Sequence, residues 1–254
     1  MIFQQLRAEK RVGPGSAWPA VTTYAAVRTK YRSVTAGMGW ASQTTHPELQ
    51  GPVSMWASQM ASPSYGAIIA LPRGLRYLQK TKKDPMIYTR TGKRTVTLSA
   101  QSDASLGSDS GSGTTQYGFW ISANGSAVIE SRAARTKMVC LSTTHSEIVS
   151  LSECCRSLVA LRRFLIELGF PQDQPSVVEC DNEMAIRLSK VKTNSEKSRT
   201  IRLRDFYSRE CVVTGQVEVR FLPGAEIDAD VFTKAKGNPA FGRMTKRLKQ
   251  GQPV

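Results

Sequence analysis

Four acidic residues stand where sheet-based enzymes do their chemistry: Asp103 in SDAS, Glu147 in THSE, Asp181 in ECDNE and Asp230 in DADVF. Asp103 and Asp181 each close a run that reads as a strand. Glu147 falls in the first turn of a long helical pattern, and Asp230 at the opening of the last one. Taken singly, each has an ordinary structural role: Asp103 as a turn former, Glu147 as the far end of a capping box begun by Thr144, Asp181 as an N-cap, Asp230 as a helix N-terminal charge. Taken together, four carboxylates gathered at strand and helix ends repel one another unless cations neutralise them. An all-oxygen set favours a hard ion such as Mg²⁺, bound at about 2.0–2.1 Å. Two such ions roughly 3.5–4 Å apart are an established arrangement for cleaving phosphodiesters.

The elements that must position these acids follow from periodicity. Residues 1–30 read as an irregular segment and 31–90 as a basic, mainly helical one. In the latter, YGAIIALPRGLRYLQKTKK ends in Lys80, Lys82 and Lys83, which suit a helix C-terminus or a phosphate. From about residue 91 the period changes to two, with Val96 and Leu98 alternating with Thr. A Thr-Gly pair at 91–92 is a plausible turn, and 105–113 a polar loop. TQYGFWISA and SAVIESRAA flank Asn124-Gly125, a strong hairpin signal. An apolar stripe of Ile148, Leu151, Cys155, Leu158, Leu165 and Leu168 makes a long helix, stopped by Gly169 and Pro171. SVVEC is a buried strand, NEMAIRLSK a short helix, and GQVEVRFLP a final strand. The order β-β-β-α-β-α-α-β-α predicts an α/β fold: a mixed five-stranded sheet flanked by helices. Residues 237–254 read as a basic tail.

Composition narrows the partners. The formal net charge is +15, and residues 1–100 carry 14 Lys+Arg against 3 Asp+Glu. Such a balance points to a polyanion, nucleic acid first. Five cysteines without a CxxC argue for a reducing, intracellular compartment, cytoplasmic or nuclear. Two histidines, His46 and His145, leave little for His-based metal sites or serine triads. No apolar run is long enough for a membrane span. The start of the chain carries no cleavable signal pattern.

In this order and spacing the motifs resemble the ribonuclease H region of copia-type LTR retrotransposon Pol polyproteins, with the connecting segment that precedes it. The likeness runs from about Tyr31 to Lys236. It is carried by SDAS, TQYGFWISANGSAVIESRAAR, LSTTHSEIVSLSECCRSLVALRRFLIELG, CDNEMAI and ADVFTKA. The resemblance implies a ribonuclease H-like domain over 91–236. Its acidic set would fall on Asp103, Glu147, Asp181 and Asp230, as ligands of two Mg²⁺ ions, with Mn²⁺ as a substitute. The activity implied is hydrolysis of the RNA strand of an RNA–DNA hybrid. Asn182, Lys80, Lys82, Lys83, Arg199, Arg202 and Arg204 are the expected nucleic-acid contacts, and the rest of a Pol polyprotein is an expected partner. The chain departs from the family pattern at Ser105-Leu106-Gly107, where a Trp is usual, at His145, where a Glu is common, and near Thr200, where a His is common. No Asp-Asp pair of the polymerase type occurs, so no polymerase activity is expected. The alternative reading is a non-catalytic nucleic-acid-binding remnant with the same fold.

Overall fold

The computed structural model describes residues 24–89, 95–107, 114–136, 138–191 and 206–251. They fall into two compact units divided between Pro85 and Met86. This boundary lies slightly ahead of the expected one. Residues 86–89 belong to the second unit through backbone: Ile87 N donates to Lys249 O (2.7 Å), Ala127 N donates to Ile87 O (3.0 Å), and the Tyr88 hydroxyl donates to Val128 O (3.0 Å).

The first unit is helical: α1 (Tyr24–Thr44), a 3₁₀ turn at Pro47–Leu49, α2 (Gln50–Ala57) and α3 (Tyr65–Thr81). The helix begins at Tyr24, inside the segment read as irregular, because Val27, Tyr31, Thr35 and Met38 already hold the helical spacing and are buried. Its core is Val27, Tyr31, Met38, Leu49, Val53, Ala67, Ile68 and Leu71. Gly74 of α3 lets α1 approach, since a Cβ there would lie 2.3 Å from Met38 Cε. Lys80, Lys82 and Lys83 are exposed at the end of α3. Trp40 faces solvent, although a tryptophan is expected in a core or interface.

The second unit is a five-stranded sheet in the order β3-β2-β1-β4-β5, built from β1 (Leu98–Ser105), β2 (Gln116–Ala123), β3 (Val128–Arg135), β4 (Ser176–Cys180) and β5 (Val217–Phe221). The first three strands are antiparallel neighbours, and β1, β4 and β5 run parallel. Its helices are α4 (Thr143–Glu167), α5 (Glu183–Lys190), α6 (Tyr207–Val213) and α7 (Asn238–Gln250). This is the mixed, helix-flanked ribonuclease H-like architecture that the sequence predicts. The Asn124-Gly125 turn has φ of 53° and 69°, the left-handed pair that a two-residue hairpin turn demands. Among the described residues, no helix is long and apolar enough to cross a membrane.

Alternation sorts the two faces of the sheet. Leu98, Ala100 and Ala104 of β1, with Tyr117, Phe119 and Ile121 of β2, pack against Leu151, Cys154, Cys155, Leu158 and Val159 of α4. The intervening residues turn to the opposite face. There Trp120 joins Ile227, Ala229, Val231, Phe232, Met244 and Leu248. The expected basic tail is therefore an ordered helix: Phe241, Met244 and Leu248 recur every three or four residues and seat α7 on this second core. Asp230 also lies elsewhere than expected. It sits in a 3₁₀ helix, Asp228–Phe232, ahead of α7 and not in its opening turn.

That 3₁₀ helix fits because of Gly118, which pairs with Asp103 across the β1–β2 ladder. A Cβ at Gly118 would fall 2.2 Å from Phe232 Cβ, an atom with no freedom to swing away. Gly118→Ala is expected to push the 3₁₀ helix off the sheet and to destabilise the protein by about 1–3 kcal/mol, measured by urea unfolding.

Candidate metal centre

Asp103 and Asp181 share one edge of the sheet by register. The last rung of the β1–β4 pairing joins Gln101 to Glu179, and each acid lies two residues beyond it, Asp103 within β1 and Asp181 just past the end of β4. Asp103 is in the last half of β1 and not after it. Its odd position places it on the face of Gln101, away from the α4 core.

Gln101 fixes that face. It is fully buried, and its amide is used at both ends. Oε1 accepts from Trp120 Nε1 (3.2 Å) and from Asp228 N (2.8 Å), while Nε2 donates to Glu179 Oε2 (2.9 Å). One side chain thus ties β1 to β2, β4 and the start of the 3₁₀ helix. From the other side, Arg247 of α7 pairs with buried Asp228 at 3.2 Å. Gln116 Nε2 donates to Phe232 O (3.2 Å). These contacts hold Asp230 over the end of β1.

Glu147 comes from α4. Ser142, not Thr144, caps this helix, accepting from His145 N at 3.1 Å. The capping box is not formed, and Glu147 reaches the sheet, where Oε1 accepts from Ala104 N (3.3 Å). One turn on, the Ser150 hydroxyl donates to Asp103 O (2.9 Å) and lies 3.2 Å from Gly118 O. His145 is buried. Asp181 is likewise not the cap of α5: Asn182 is, its Oδ1 accepting from Ala185 N at 2.9 Å. Asp181 is half-buried, and space for it depends on Gly224, where a Cβ would lie 2.9 Å from Asp181 Oδ2.

The four acids form two halves. In one, Lys234 Nζ lies 3.2 Å from Asp103 Oδ1 and 2.6 Å from Asp230 Oδ1. Lys236 also pairs with Asp230, and the Thr233 hydroxyl donates to Asp103. In the other half, ligand atoms of Glu147, Cys180 and Asp181 lie within 4.8 Å of one another. Asp103 and Asp230 are outside that group. Among the described residues, Glu147 and Asp181 have no ion-pair partner.

The electrostatics follow the division. Burial, then the neighbouring Asp103 and Asp181 charges, push Glu147 up to about 9. Burial raises Asp103 as well, against the pull of Lys234. Burial would raise Asp230 too, but Lys234 and Lys236 outweigh it and hold its carboxyl below the usual range. The Cys180 thiol is pushed far up by burial and by Glu147, so it stays protonated. The donors on offer are thus carboxylate oxygens, and the crowding of acid around Glu147 is what a divalent cation relieves. The set fits a hard ion such as Mg²⁺ in chemistry.

Of the other expected contacts, Asn182 borders the site and Lys80, Lys82 and Lys83 lie in the first unit. Arg199, Arg202 and Arg204 fall outside the described residues, as do Thr200 and the 91–92 turn. The sequence reading missed Gln101, Asp228, Arg247, Lys234 and Lys236. Only the two lysines carried a local signal, closing ADVFTKAK six residues or fewer after Asp230.

No protein-family model matches the chain. Over 204 residues, 80% of the chain, it is 29% identical to the retrovirus-related Pol polyprotein from transposon TNT 1-94 of Nicotiana tabacum. The chain is thus similar to part of a retrotransposon Pol polyprotein. It spans 15% of that polyprotein's length. A second relative, secreted RxLR effector protein 161 of Plasmopara viticola, is 31% identical over 131 residues, 52% of the chain and 90% of that protein. Among solved structures, the chain is similar to the N-terminal ribonuclease H domain of a Mycobacterium tuberculosis protein, with a TM-score of 0.39 and 15% identity over 60% of this chain and 98% of that one. It is also similar to LC11-RNase H1 in complex with an RNA/DNA hybrid, with a TM-score of 0.39 and 14% identity over 54% and 93% of the two chains. The fold assignment rests on strand order and register and not on these scores.

A carboxyl raised by folding keeps its proton in the native state after the unfolded chain has lost it. Stability of the metal-free protein therefore falls as pH rises from the ordinary glutamate range toward about 9. Glu147→Gln, neutral throughout, is expected to flatten that slope and to be more stable than wild type at pH 9, on the order of 1–3 kcal/mol, in urea melts with EDTA.

Proposed function

We propose that the chain is a metal-dependent endonuclease that hydrolyses the RNA strand of RNA–DNA hybrids, as the ribonuclease H part of a copia-type Pol polyprotein. The observation that carries this reading is the register: Asp103 and Asp181 extend neighbouring parallel strands equally past their last common rung, with Glu147 at their side.

In this reading Asp103, Glu147, Asp181 and Asp230 hold Mg²⁺, with Mn²⁺ as a substitute. Bound divalent cations supply a lowered pKa for water and neutralise charge growing on the phosphate. The protein's own groups do the rest. The sheet register sets the backbone positions from which Asp103 and Asp181 project. Glu147 gives up its proton when the site is charged, so binding is favoured by rising pH. Asn182 keeps Oδ1 on its helix and presents its amide nitrogen as a donor to the nucleic acid. Lys80, Lys82 and Lys83, with Arg199, Arg202 and Arg204, contact phosphates, and 2′-hydroxyl contacts select RNA over DNA. The pairing of Asp103 and Asp230 with lysines favours one rival, a nucleic-acid-binding remnant that does not cut.

The test is a labelled RNA–DNA hybrid with Mg²⁺. Wild type is expected to cut only the RNA strand, EDTA to stop it, and Asp181→Asn to lower the rate by at least about 100-fold. Equal cutting by wild type and Asp181→Asn, or no cutting by wild type, sinks the catalytic reading. Binding without cleavage selects the rival.

A further inference from the structure

The two halves of the acidic site are neutralised by different means. Around Glu147 the charge is reduced by a retained proton. Between Asp103 and Asp230 it is balanced by an ammonium group of the chain itself. Asp103 is fully buried and Asp230 nearly so. A buried carboxylate left ionised without a counter-charge is strongly unfavourable, so the ionised pair is stable only with a cation beside it.

We propose that Lys234 is the resident counter-ion of the metal-free site, and that a divalent cation binds Asp103 and Asp230 by displacing its ammonium. The inference rests on the reading of these carboxylates as metal ligands. Three features make Lys234 the displaceable partner. Its Nζ touches one oxygen of each aspartate, whereas Lys236 pairs with Asp230 alone. Its backbone is held, because Lys234 N donates to Asp230 O at 2.9 Å, so the ammonium returns to the same place on a short tether. Its side chain is 41% exposed while that of Asp103 is 1% exposed, so the lysine has a way out to water and the aspartate does not. The consequence is competition: each divalent ion that enters this half must first separate two ion pairs.

Metal binding, read apart from cleavage, tests this. Mn²⁺ affinity is measured by the electron paramagnetic resonance signal of the free ion, and melting temperature with and without Mn²⁺, on the full chain. Lys234→Met keeps the aliphatic stem and removes the charge. It is expected to bind Mn²⁺ about tenfold more tightly than wild type, to melt lower without metal, and to gain more on adding it. Lys234→Arg, which keeps the charge, is expected to stay near wild type, and Lys236→Met to change affinity less than about threefold. Equal or weaker binding by a folded Lys234→Met overturns the inference, as does an equal gain in Lys236→Met. If wild type binds Mn²⁺ and cuts hybrid but Lys234→Met binds no tighter, the inference fails and the nuclease reading stands. If Lys234→Met binds tighter but neither protein cuts, the inference stands and the nuclease reading fails. If no variant binds Mn²⁺, both fall.

Discussion

A carboxylate placed on the central strand of a sheet, with no access to water, cannot remain ionised without a cation beside it. Asp103 is in that position, and the surrounding structure answers to its charge. Thr233 and Lys234 reach it from the C-terminal segment, Glu147 is pushed to hold a proton next to it, and Asp230 is drawn in through a lysine they share. Removing the charge would remove the reason for most of these contacts. The apolar cores on either face determine where the elements lie, but the acid determines what must surround the strand end.

The polar framework behind the acids has no chemistry of its own, yet it decides whether they meet. Gln101 spends every part of its amide joining three strands and the 3₁₀ helix, and Asp228 with Arg247 fastens that helix from behind. Buried networks of this kind are favourable only when every member is satisfied. Burial of the Asp103 and Glu147 carboxyls, in turn, opposes folding in their charged forms, whereas the lysines beside Asp230 favour it. The framework and two cores must therefore outweigh the cost of burying Asp103 and Glu147.

Much of the fold could be read from the chain. Asn124-Gly125 announced the hairpin, the apolar run ending at Cys180 announced β4, and Gly169 the end of α4. The acids at strand ends followed from those elements, although which pairs would meet did not. Where the reading missed, the determinants were remote or masked by charge. Gln101 and Asp228 are separated by 127 positions, a contact no local pattern records. Met244 and Leu248 have helical spacing, but the lysines and arginines between them make the segment resemble a solvated tail. Glu147 completes a plausible capping box, yet Ser142 starts the helix earlier and releases it. Five residues such as Asp228–Phe232 are equally compatible with an α-helix. The close approach allowed by Gly118 and the contacts of Gln101, Gln116 and Arg247, all remote in sequence, seat the tighter form on the sheet.

β1 and β4 are joined in parallel by their backbones. Adjacent strands in any sheet lie about 4.7–4.9 Å apart, a distance set by backbone hydrogen bonds and indifferent to side chains. Asp103 within β1 and Asp181 just past the end of β4 project from strands held at that spacing. Substitutions around them can change charge and access, but the strand spacing holds while the ladder between Ser99–Gln101 and Val177–Glu179 is intact. The spacing of the strands that carry these two acids is thus a property of the peptide backbone.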